Sequence, residues 1–195
     1  MVEESREKGS VYEPFNSTFL DLIPKSKDPS YFEEFRPISL CNCIYKIIAK
    51  FIAVRLKPIL SRNISKEKFG FLDGRQIHEA VGVAQETLHS IKRSRKKRVM
   101  VKIDLSKAYD RINWLFIRML MTHLGFGINF INWVMGCISN LSFAVLINGA
   151  TSSFFYSQRG LRHGCPLSPL LFLLATEGLS QIILEARRRG DIKGI

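Results

Sequence analysis

The sequence predicts an α+β fold in which helices pack on a small antiparallel sheet. Apolar residues recur at helical spacing in several segments, which are separated by short β-prone runs. Asn148-Gly149 stands between two such runs and is the strongest short hairpin signal that a sequence can carry. The predicted strands lie far apart along the chain and do not alternate regularly with helices, so a β-α-β array is not expected.

The first half of the chain predicts a strand at Thr18–Pro24, a further element from Arg36 to Leu40, and two helices. The first helix, from about Asn42 to Leu60, has apolar residues at helical spacing and a basic polar side. The second runs from about Ile77 to Ile91. Residues 92–98 follow, with six basic residues in seven, and predict a solvated connection or a phosphate contact.

In the second half, the β-rich run Val99–Leu105 predicts a mostly buried strand. Asn113 is a candidate cap for a helix that runs to about Leu124, where Gly125 ends it. The remaining predicted elements are a helix at Ile128–Ser139, hairpin arms at Phe143–Ile147 and Ser153–Ser157, and a helix that Ser168-Pro169 begins and Gly190 ends.

The composition favours a polyanionic partner. The 195 residues carry a formal net charge of +12, which points to nucleic acid or to an acidic membrane surface. The alternative is a basic protein whose charge only maintains solubility.

The amino terminus lacks the apolar stretch of a signal peptide, and the apolar window 167–184 contains Pro169 and Glu177, so it predicts a buried helix. We therefore expect an intracellular, soluble protein with no membrane partner.

Asp104 is the first residue that could carry chemistry, because it lies near the end of the apolar run VMVKIDL. A carboxylate that a rigid strand presents can coordinate a divalent metal. The alternative is a cap at the exit of the strand. We interpret Asp110, six residues later, as structural, either in a salt bridge or capping the next helix.

Five motifs together resemble the reverse transcriptases of LINE-type (non-LTR) retrotransposons, in a plant-like form. In chain order they are LIPK with FRPISL, YKIIAK with RL, FGF with GRQI, the segment Asp104-Leu-Ser-Lys-Ala-Tyr-Asp110, and Arg159-Gly-Leu-Arg-His-Gly-Cys-Pro-Leu-Ser-Pro169. They cover about residues 18–195 in the order and at the spacing of the family.

The resemblance implies nucleotidyl transfer assisted by two magnesium ions. Asp104 would be a catalytic carboxylate and metal ligand, and the backbone carbonyl of Leu105 would be a further ligand. Tyr109 matches the aromatic gate that excludes a 2′-hydroxyl. Its alternative is an ordinary half-buried tyrosine.

The same resemblance implies binding roles for further residues. Lys25 and Arg36 match cations that hold the incoming triphosphate, and Gly164, Cys165 and Pro166 match the turn beneath the nascent base pair. The expected contacts with the nucleic-acid backbone are Lys46, Lys50, Lys57, Arg75 and Arg162. Outside the family, each cation would be an ordinary exposed charge.

The resemblance also implies a single incomplete reverse transcriptase domain, with the fingers and a partial palm of a right-hand polymerase. The fingers would take about residues 1–98 and 119–160, and the palm about 99–118 and 161–195, without a thumb. The sequence contains no Asp-Asp pair, the family's second catalytic motif, and ends near the place where it would follow. His163 and Lys68 stand where glutamine is usual, as in a decaying copy.

The expected function is therefore that of a fragment of an RNA-directed DNA polymerase that does not polymerise by itself. Its partners would be an RNA template, a DNA primer and deoxynucleoside triphosphates, with no obligate protein partner, in the nucleus. The alternative is a non-catalytic RNA- or DNA-binding remnant, or the product of a degenerate retroelement.

Overall fold

A computed structural model describes residues 1–94, 100–139 and 141–193. It confirms the α+β class, with helices packed against a small open sheet. The prediction of a wholly antiparallel sheet is wrong, because one pair of strands is parallel. The basic run at 92–98 is described only as far as residue 94, and the rest of it lies outside the described residues.

The sheet has the order β2-β1-β3-β4, and β5 also pairs with β3. The strands are β1 Thr18–Pro24, β2 Phe35–Cys41, β3 Ser142–Ile147, β4 Ala150–Thr151 and β5 Phe155–Tyr156. Strands β1 and β2 are antiparallel over their full length, whereas β1 and β3 are parallel. More than a hundred residues separate β1 from β3, so the chain can return in the same direction as β1.

Eight α-helices occur in the described ranges, together with a short 3-10 helix at Phe32–Glu34. They are α1 Val2–Lys8, α2 Glu13–Asn16, α3 Cys43–Asn63, α4 Ile77–Arg93, α5 Ala108–Arg111, α6 Trp114–His123, α7 Ile128–Ile138 and α8 Ser168–Arg189. The four long helices predicted before residue 140, together with the final helix, are confirmed with small shifts of their ends.

Local capping explains several helix ends. The side chain of Asn42 accepts a hydrogen bond from the backbone N–H of Ile44 at 2.9 Å, and Asn113 does the same for Leu115 at 2.8 Å. Gly190 has a left-handed φ of +84° and ends α8 as predicted. The order Ser168-Pro169 also predicts Ser168 as the N-cap of this helix, which is wrong, because Ser168 is already the first residue of α8.

The core lies where α3, α6, α7 and α8 meet. Its largest fully buried side chains include Trp133 and Tyr45, and seven residues of α3 are buried along one side. Among the described residues, α8 alone is long and apolar enough to cross a membrane by length and composition. The prediction of a buried helix over 167–184 is confirmed as far as Gly178. It is wrong for the end of that window, where Leu179, Ile182, Ile183 and Leu184 are 40–59% exposed.

The predicted strand at 99–105 is wrong for the residues that the structure describes. Residues 100–105 form no regular element, and Val101 and Ile103 are 74% and 65% exposed. A strand requires a neighbouring backbone for its hydrogen bonds, and no described segment supplies one here. An apolar β-prone pattern alone is therefore insufficient to form a strand.

Helix α4 is the second element that packs poorly. None of its described side chains is buried, although its sequence is amphipathic. It begins and ends close to the predicted positions, but it adds little to the core.

A close approach between glycines attaches the amino-terminal helix α1 to α7. A Cβ added to Gly136 would lie only 2.8 Å from the Cα of Ser10, and closer still to the carbonyl oxygen of Gly9. Trp133, on the same helix, donates its Nε1–H to the hydroxyl of Ser5 at 3.0 Å. The absence of a side chain at residue 136 thus allows the chain after α1 to lie directly on α7.

We expect Gly136→Ala to lower the free energy of unfolding by about 1–3 kcal/mol, because the new methyl group overlaps backbone atoms that cannot move freely. Urea denaturation followed by circular dichroism measures this. Gly82→Ala is the matched control: it is also a glycine in a helix, but nothing lies within 4 Å of its added Cβ. It should leave stability unchanged or raise it by up to about 1 kcal/mol. Equal stability of the two variants would contradict the close approach.

Candidate functional site

Backbone pairing joins the segment after Asp104 to the segment before Gly164. The N–H of Gly160 donates to the carbonyl of Ile112 at 2.8 Å, and the N–H of Leu161 donates to the carbonyl of Tyr109 at 2.9 Å. Gly160 has φ +93°, and an added Cβ would lie 3.0 Å from the carbonyl oxygen of Asp110. The two motifs that the sequence singles out are therefore in direct contact.

Trp114 supports this pairing from α6. Its indole Nε1–H donates to the carbonyl of Gly160 at 2.7 Å. A partly buried tryptophan generally needs a hydrogen-bond acceptor for this N–H. Here the bond links residues 160–161 directly to α6.

Three aromatic rings are stacked at the junction of the two motifs. Tyr109 lies between His163 and Phe172, with ring centroids 5.1 Å apart on each side. The Nε2 of His163 lies 3.3 Å from Oδ1 of Asp110. Asp110 thus contacts an ionisable partner as predicted, whereas Asn113 caps the following helix.

The stack changes the ionisation of the tyrosine. Burial, followed by the proximity of Cys165, raises the pKa of the Tyr109 phenol above its ordinary value. The phenol is protonated at neutral pH, as an ordinary tyrosine is, and the shift extends this range to higher pH.

Asp104 lies in a loop and is exposed, next to a cavity of about 550 Å³. Leu105 also lines this cavity, as do Phe172 and Ala175 of α8. Phe172 therefore links the two candidate residues: it lines the same open cavity as Asp104, and its ring stacks on Tyr109.

The described residues do not complete a metal site. No group of three or more His, Cys, Asp or Glu side chains within them is arranged to hold an ion. Asp104 is the one carboxylate among the described residues that line its cavity. Two dications close together need several carboxylates to offset their repulsion, so Asp104 can supply only part of such a site.

The two predicted triphosphate cations lie at the same end of the β1–β2 ladder. Arg36 is paired with Ile23, two residues before Lys25, and both cations are exposed. The Nζ of Lys25 donates to the carbonyl of Glu33 at 2.6 Å. The carboxylate of Glu33 also lies 3.9 Å from the Nζ of Lys107, which follows Asp104 by three residues. This contact brings the end of the ladder close to the Asp104 loop.

The turn at 164–166 rests on β2. The N–H of Ser39 donates to the carbonyl of His163 at 3.2 Å, and Gly164 is exposed with φ +84°. Cys165 is buried, with its sulfur 3.4 Å from the hydroxyl of Tyr45, and Pro166 is half-buried. Within the turn, Gly164 and Pro166 can be reached by a ligand and the Cys165 side chain cannot.

Arg162 corrects a prediction, because the side chain is 3% exposed and cannot serve as a surface contact with nucleic acid. Its guanidinium lies 4.0 Å from the centre of the Tyr45 ring, and it donates to the backbone carbonyl and the side-chain oxygen of Asn16. The cation–π contact and these hydrogen bonds offset part of the cost of burying the charge. Arg162 is a core residue that joins α2 and α3 to the 164–166 turn.

Arg75 is a second correction. Its guanidinium donates four hydrogen bonds, of 2.6 to 3.2 Å, to the carbonyls of Ser61, Ile64, Ser65 and Lys68. These carbonyls lie at and after the end of α3, where helix carbonyls lack partners in the helix itself. The donors of Arg75 are therefore used to hold the chain after α3, and few remain for phosphate.

The three predicted lysines of α3 differ in their surroundings. Lys46 and Lys50 are exposed, whereas Lys57 is half-buried and forms an ion pair with Asp73. Only the first two remain fully available for an external anion.

Sequence reasoning missed several residues that shape the site. Nothing local in the sequence marks Phe172 as a neighbour of Tyr109, or Ser39 and Trp114 as partners of the 160–163 segment. Each contact joins elements that are distant along the chain. Glu33 carries only a weak signal, as one of three acids between Lys25 and Arg36.

We expect Arg162→Ala to lower the free energy of unfolding by about 3 kcal/mol, because it removes the cation–π contact with Tyr45 and the buried hydrogen bonds to Asn16. Arg159→Ala removes a nearby exposed arginine and should change stability by less than about 0.5 kcal/mol. Urea denaturation at neutral pH measures both variants. If they were equally stable, the buried role of Arg162 would be wrong.

Alkaline pH should destabilise the protein through its buried thiols and phenols. Burial raises the pKa of Tyr45 well above 10.0, and it also raises the pKa values of Cys41 and Cys137 above 9.0. The folded state holds these protons more tightly than the unfolded state, so the free energy of unfolding falls as pH rises beyond about 9–10.

Tyr45→Phe should make this alkaline decline shallower, since phenylalanine has no proton to lose. Tyr12→Phe, at an exposed position, should leave it unchanged. Urea denaturation across the alkaline range measures the slopes, and identical slopes for all three proteins would count against the buried phenol.

Comparisons with known proteins identify the family of this chain. The family model described as reverse transcriptase (RNA-dependent DNA polymerase) matches residues 23–192. An uncharacterised 149 kDa protein of transposon TX1 from Xenopus laevis is 30% identical over 91% of this chain and 14% of its own length. The Pol polyprotein of retrotransposable element R2 from Popillia japonica is 24% identical over 85% and 23%, respectively.

A probable RNA-directed DNA polymerase from transposon X-element of Drosophila melanogaster is 27% identical over 75% of this chain and 16% of its own length. The chain thus spans less than a quarter of each of these relatives. Family members generally use divalent metals and bind a nucleic-acid template and primer. Because the family model matches residues 23–192, the chain belongs to the reverse transcriptase family, with relatives in non-LTR retrotransposons.

Proposed function

We propose that this chain forms the fingers and part of the palm of an RNA-directed DNA polymerase of a non-LTR retrotransposon. The fingers take about residues 1–98 and 119–160, and the palm about 99–118 and 161–195. The observation that carries the proposal is the junction where Tyr109 stacks between His163 and Phe172, beside the cavity of Asp104.

Tyr109 acts as the gate for the sugar of the incoming nucleotide. Its ring is held on both faces and its carbonyl is bonded to Leu161, so it cannot move aside easily. A rigid ring beneath the sugar leaves no room for a 2′-hydroxyl and favours deoxynucleoside triphosphates. Gly164 lets the nascent base pair approach the backbone closely, because it has no side chain.

Lys25 and Arg36 bind the triphosphate. Both are exposed at the end of the β1–β2 ladder, which Glu33 and Lys107 connect to the Asp104 loop. A guanidinium pairs with two phosphate oxygens, and an ammonium adds a point charge. Lys25 must exchange its bond to the Glu33 carbonyl for phosphate, which costs little at an exposed position.

Magnesium is the metal that we propose, with Asp104 and the carbonyl of Leu105 as part of its ligand set. The described residues by themselves do not fit two ions, and the sequence has no Asp-Asp pair to add. We therefore propose that the 195-residue chain does not polymerise on its own. In a longer protein, an RNA template and a DNA primer would lie along the cleft, and the reaction would take place in the nucleus.

A non-catalytic RNA- or DNA-binding remnant is the second candidate. The net charge of +12 and the single carboxylate at the cavity favour it. The two candidates differ in one property. Only a protein that keeps a nucleotide-binding site should distinguish deoxynucleoside from ribonucleoside triphosphates through Tyr109, whereas a remnant that binds only RNA or DNA should not.

The central experiment measures binding of a fluorescent deoxynucleoside triphosphate with magnesium present. The double variant Lys25→Ala/Arg36→Ala should bind at least about tenfold more weakly, because two charge-assisted contacts are lost. Lys27→Ala/Lys66→Ala removes two other exposed cations and is the matched control, with affinity within about twofold of the original. If both double variants lost the same affinity, triphosphate binding would depend only on the net charge of the protein and not on Lys25 and Arg36.

Tyr109→Ala should reduce the preference for the deoxynucleotide over the ribonucleotide in the same assay. A parallel primer-extension reaction on an RNA template should yield no product from the 195-residue chain. Templated DNA synthesis by this chain would disprove the proposal that it is inactive alone, and an unchanged sugar preference would disprove the gate.

A further inference from the structure

Helix α3 combines a buried side with an unusually basic outer side. It has five cations and no acidic residue in 21 positions, namely Lys46, Lys50, Arg55, Lys57 and Arg62. The outer side also exposes large apolar side chains: Ile47 is 59% exposed, Phe51 40% and Val54 59%. Seven other apolar residues of α3 are buried in the core. Of the exposed ones, Phe51 also contacts the ring of Trp133, with ring centroids 6.1 Å apart, and Ile59 is 38% exposed farther along the helix.

The three apolar residues form one stripe, because spacings of four and three residues place them on the same side of a helix. Lys46, Lys50 and Lys57 follow one edge of the stripe, and Arg55 and Arg62 follow the other. The guanidinium of Arg55 also lies 4.1 Å from the centre of the Phe51 ring. We name this surface, the apolar stripe with its two cationic edges, the outer face of α3.

The shape of the outer face suits another helix. The stripe from Ile47 to Val54 rises by about 10 Å, which corresponds to about two turns of a partner helix. Amphipathic helices dock through apolar residues at the same four- and three-residue spacings. Because cations follow both edges of the stripe, a complementary partner helix would carry carboxylates on both of its flanks. Such opposite charges across an interface determine which partner binds and in which register.

Other occupants fit the outer face less well. A second copy of the chain would oppose five cations with five cations, with no acid on α3 to offset them. Nucleic acid would pair with the lysines but would leave aliphatic Ile47 and Val54 in water, and one aromatic ring is a small stacking platform. A membrane-bound helix needs a broad apolar side, whereas this stripe is a single file between charges.

We propose that the outer face of α3 docks an amphipathic helix of a partner protein, with an apolar stripe flanked on both sides by acidic residues. This role replaces the nucleic-acid contact that the sequence suggests for Lys46 and Lys50. It does not depend on polymerase activity, because the outer face uses none of the residues around Tyr109 or Asp104.

The test uses the 195-residue chain and a labelled synthetic peptide of about three helical turns, with leucines along one stripe and glutamates on both flanks. Fluorescence anisotropy measures its binding. Ile47→Gln/Val54→Gln should weaken binding at least about tenfold, as expected for central apolar contacts. Leu115→Gln/Met119→Gln is the matched control, because it also changes two apolar residues on one side of a helix, here α6, and they are 72% and 60% exposed. It should change binding by less than about twofold.

A charge arm completes the experiment. Lys50→Glu should weaken peptide binding several-fold, whereas Lys66→Glu, at an exposed position beyond α3, should not. A peptide with lysine in place of every glutamate should not bind. Single-stranded RNA and vesicles containing phosphatidylserine are assayed in parallel with the Ile47→Gln/Val54→Gln variant.

Reduced peptide binding in the apolar variant, with RNA and vesicle binding unaffected by it, supports the proposal. Absence of saturable peptide binding overturns it, and so does equal binding by the apolar variant and its control. Loss of RNA binding in the apolar variant would assign the face to nucleic acid instead. Loss of vesicle binding in that variant would assign it to a membrane.

Discussion

The pairing between residues 109–112 and 160–161 is the constraint on which the candidate site depends. It places α5 and the residue after it in backbone contact with a segment about fifty residues later in the sequence. Gly160 permits this because a side chain would meet the backbone of Asp110. The ring stack around Tyr109 follows from it, since His163 and Phe172 reach the tyrosine only when the two segments lie together. A polymerase needs such a junction because the sugar and the base of one nucleotide must be checked at the same place.

The basic charge of the protein serves two different purposes. Arg162 stacks on Tyr45 inside the core, and Arg75 satisfies four carbonyls after α3. Both guanidinium groups hold segments of the chain together inside the protein. Arg75 donates through both Nη atoms, whereas Arg162 donates to Asn16 through Nη2 and its buried Nε and Nη1 have no hydrogen-bond partner among the described residues. Lys25, Arg36 and the exposed cations of α3 remain for external anions. A count of positive residues therefore overstates the surface available to nucleic acid.

The cohesion of the protein is uneven. The sheet and the helices α3, α6, α7 and α8 form a closely packed body, whereas residues 100–105 and α4 expose apolar side chains and the second half of α8 exposes Ile182 and its neighbours. These surfaces include the loop that carries Asp104. The described residues thus hold the Tyr109 ring firmly and the Asp104 carboxylate weakly. This is the physical reason why the proposed function assigns nucleotide binding, and not catalysis, to this chain by itself.

The sequence by itself determined the features whose causes are local. Helix periodicity, the caps at Asn42 and Asn113 and the turn at Asn148-Gly149 depend on residues a few positions apart, and the order of the motifs indicated the family. The tertiary structure alone decided which partners meet. It made β1 and β3 parallel, buried Arg162, used Arg75 inside the protein and left 100–105 without a strand. Strand pairing and burial depend on groups distant along the chain, so the same apolar run or cation has one role when a partner is adjacent and another when none is.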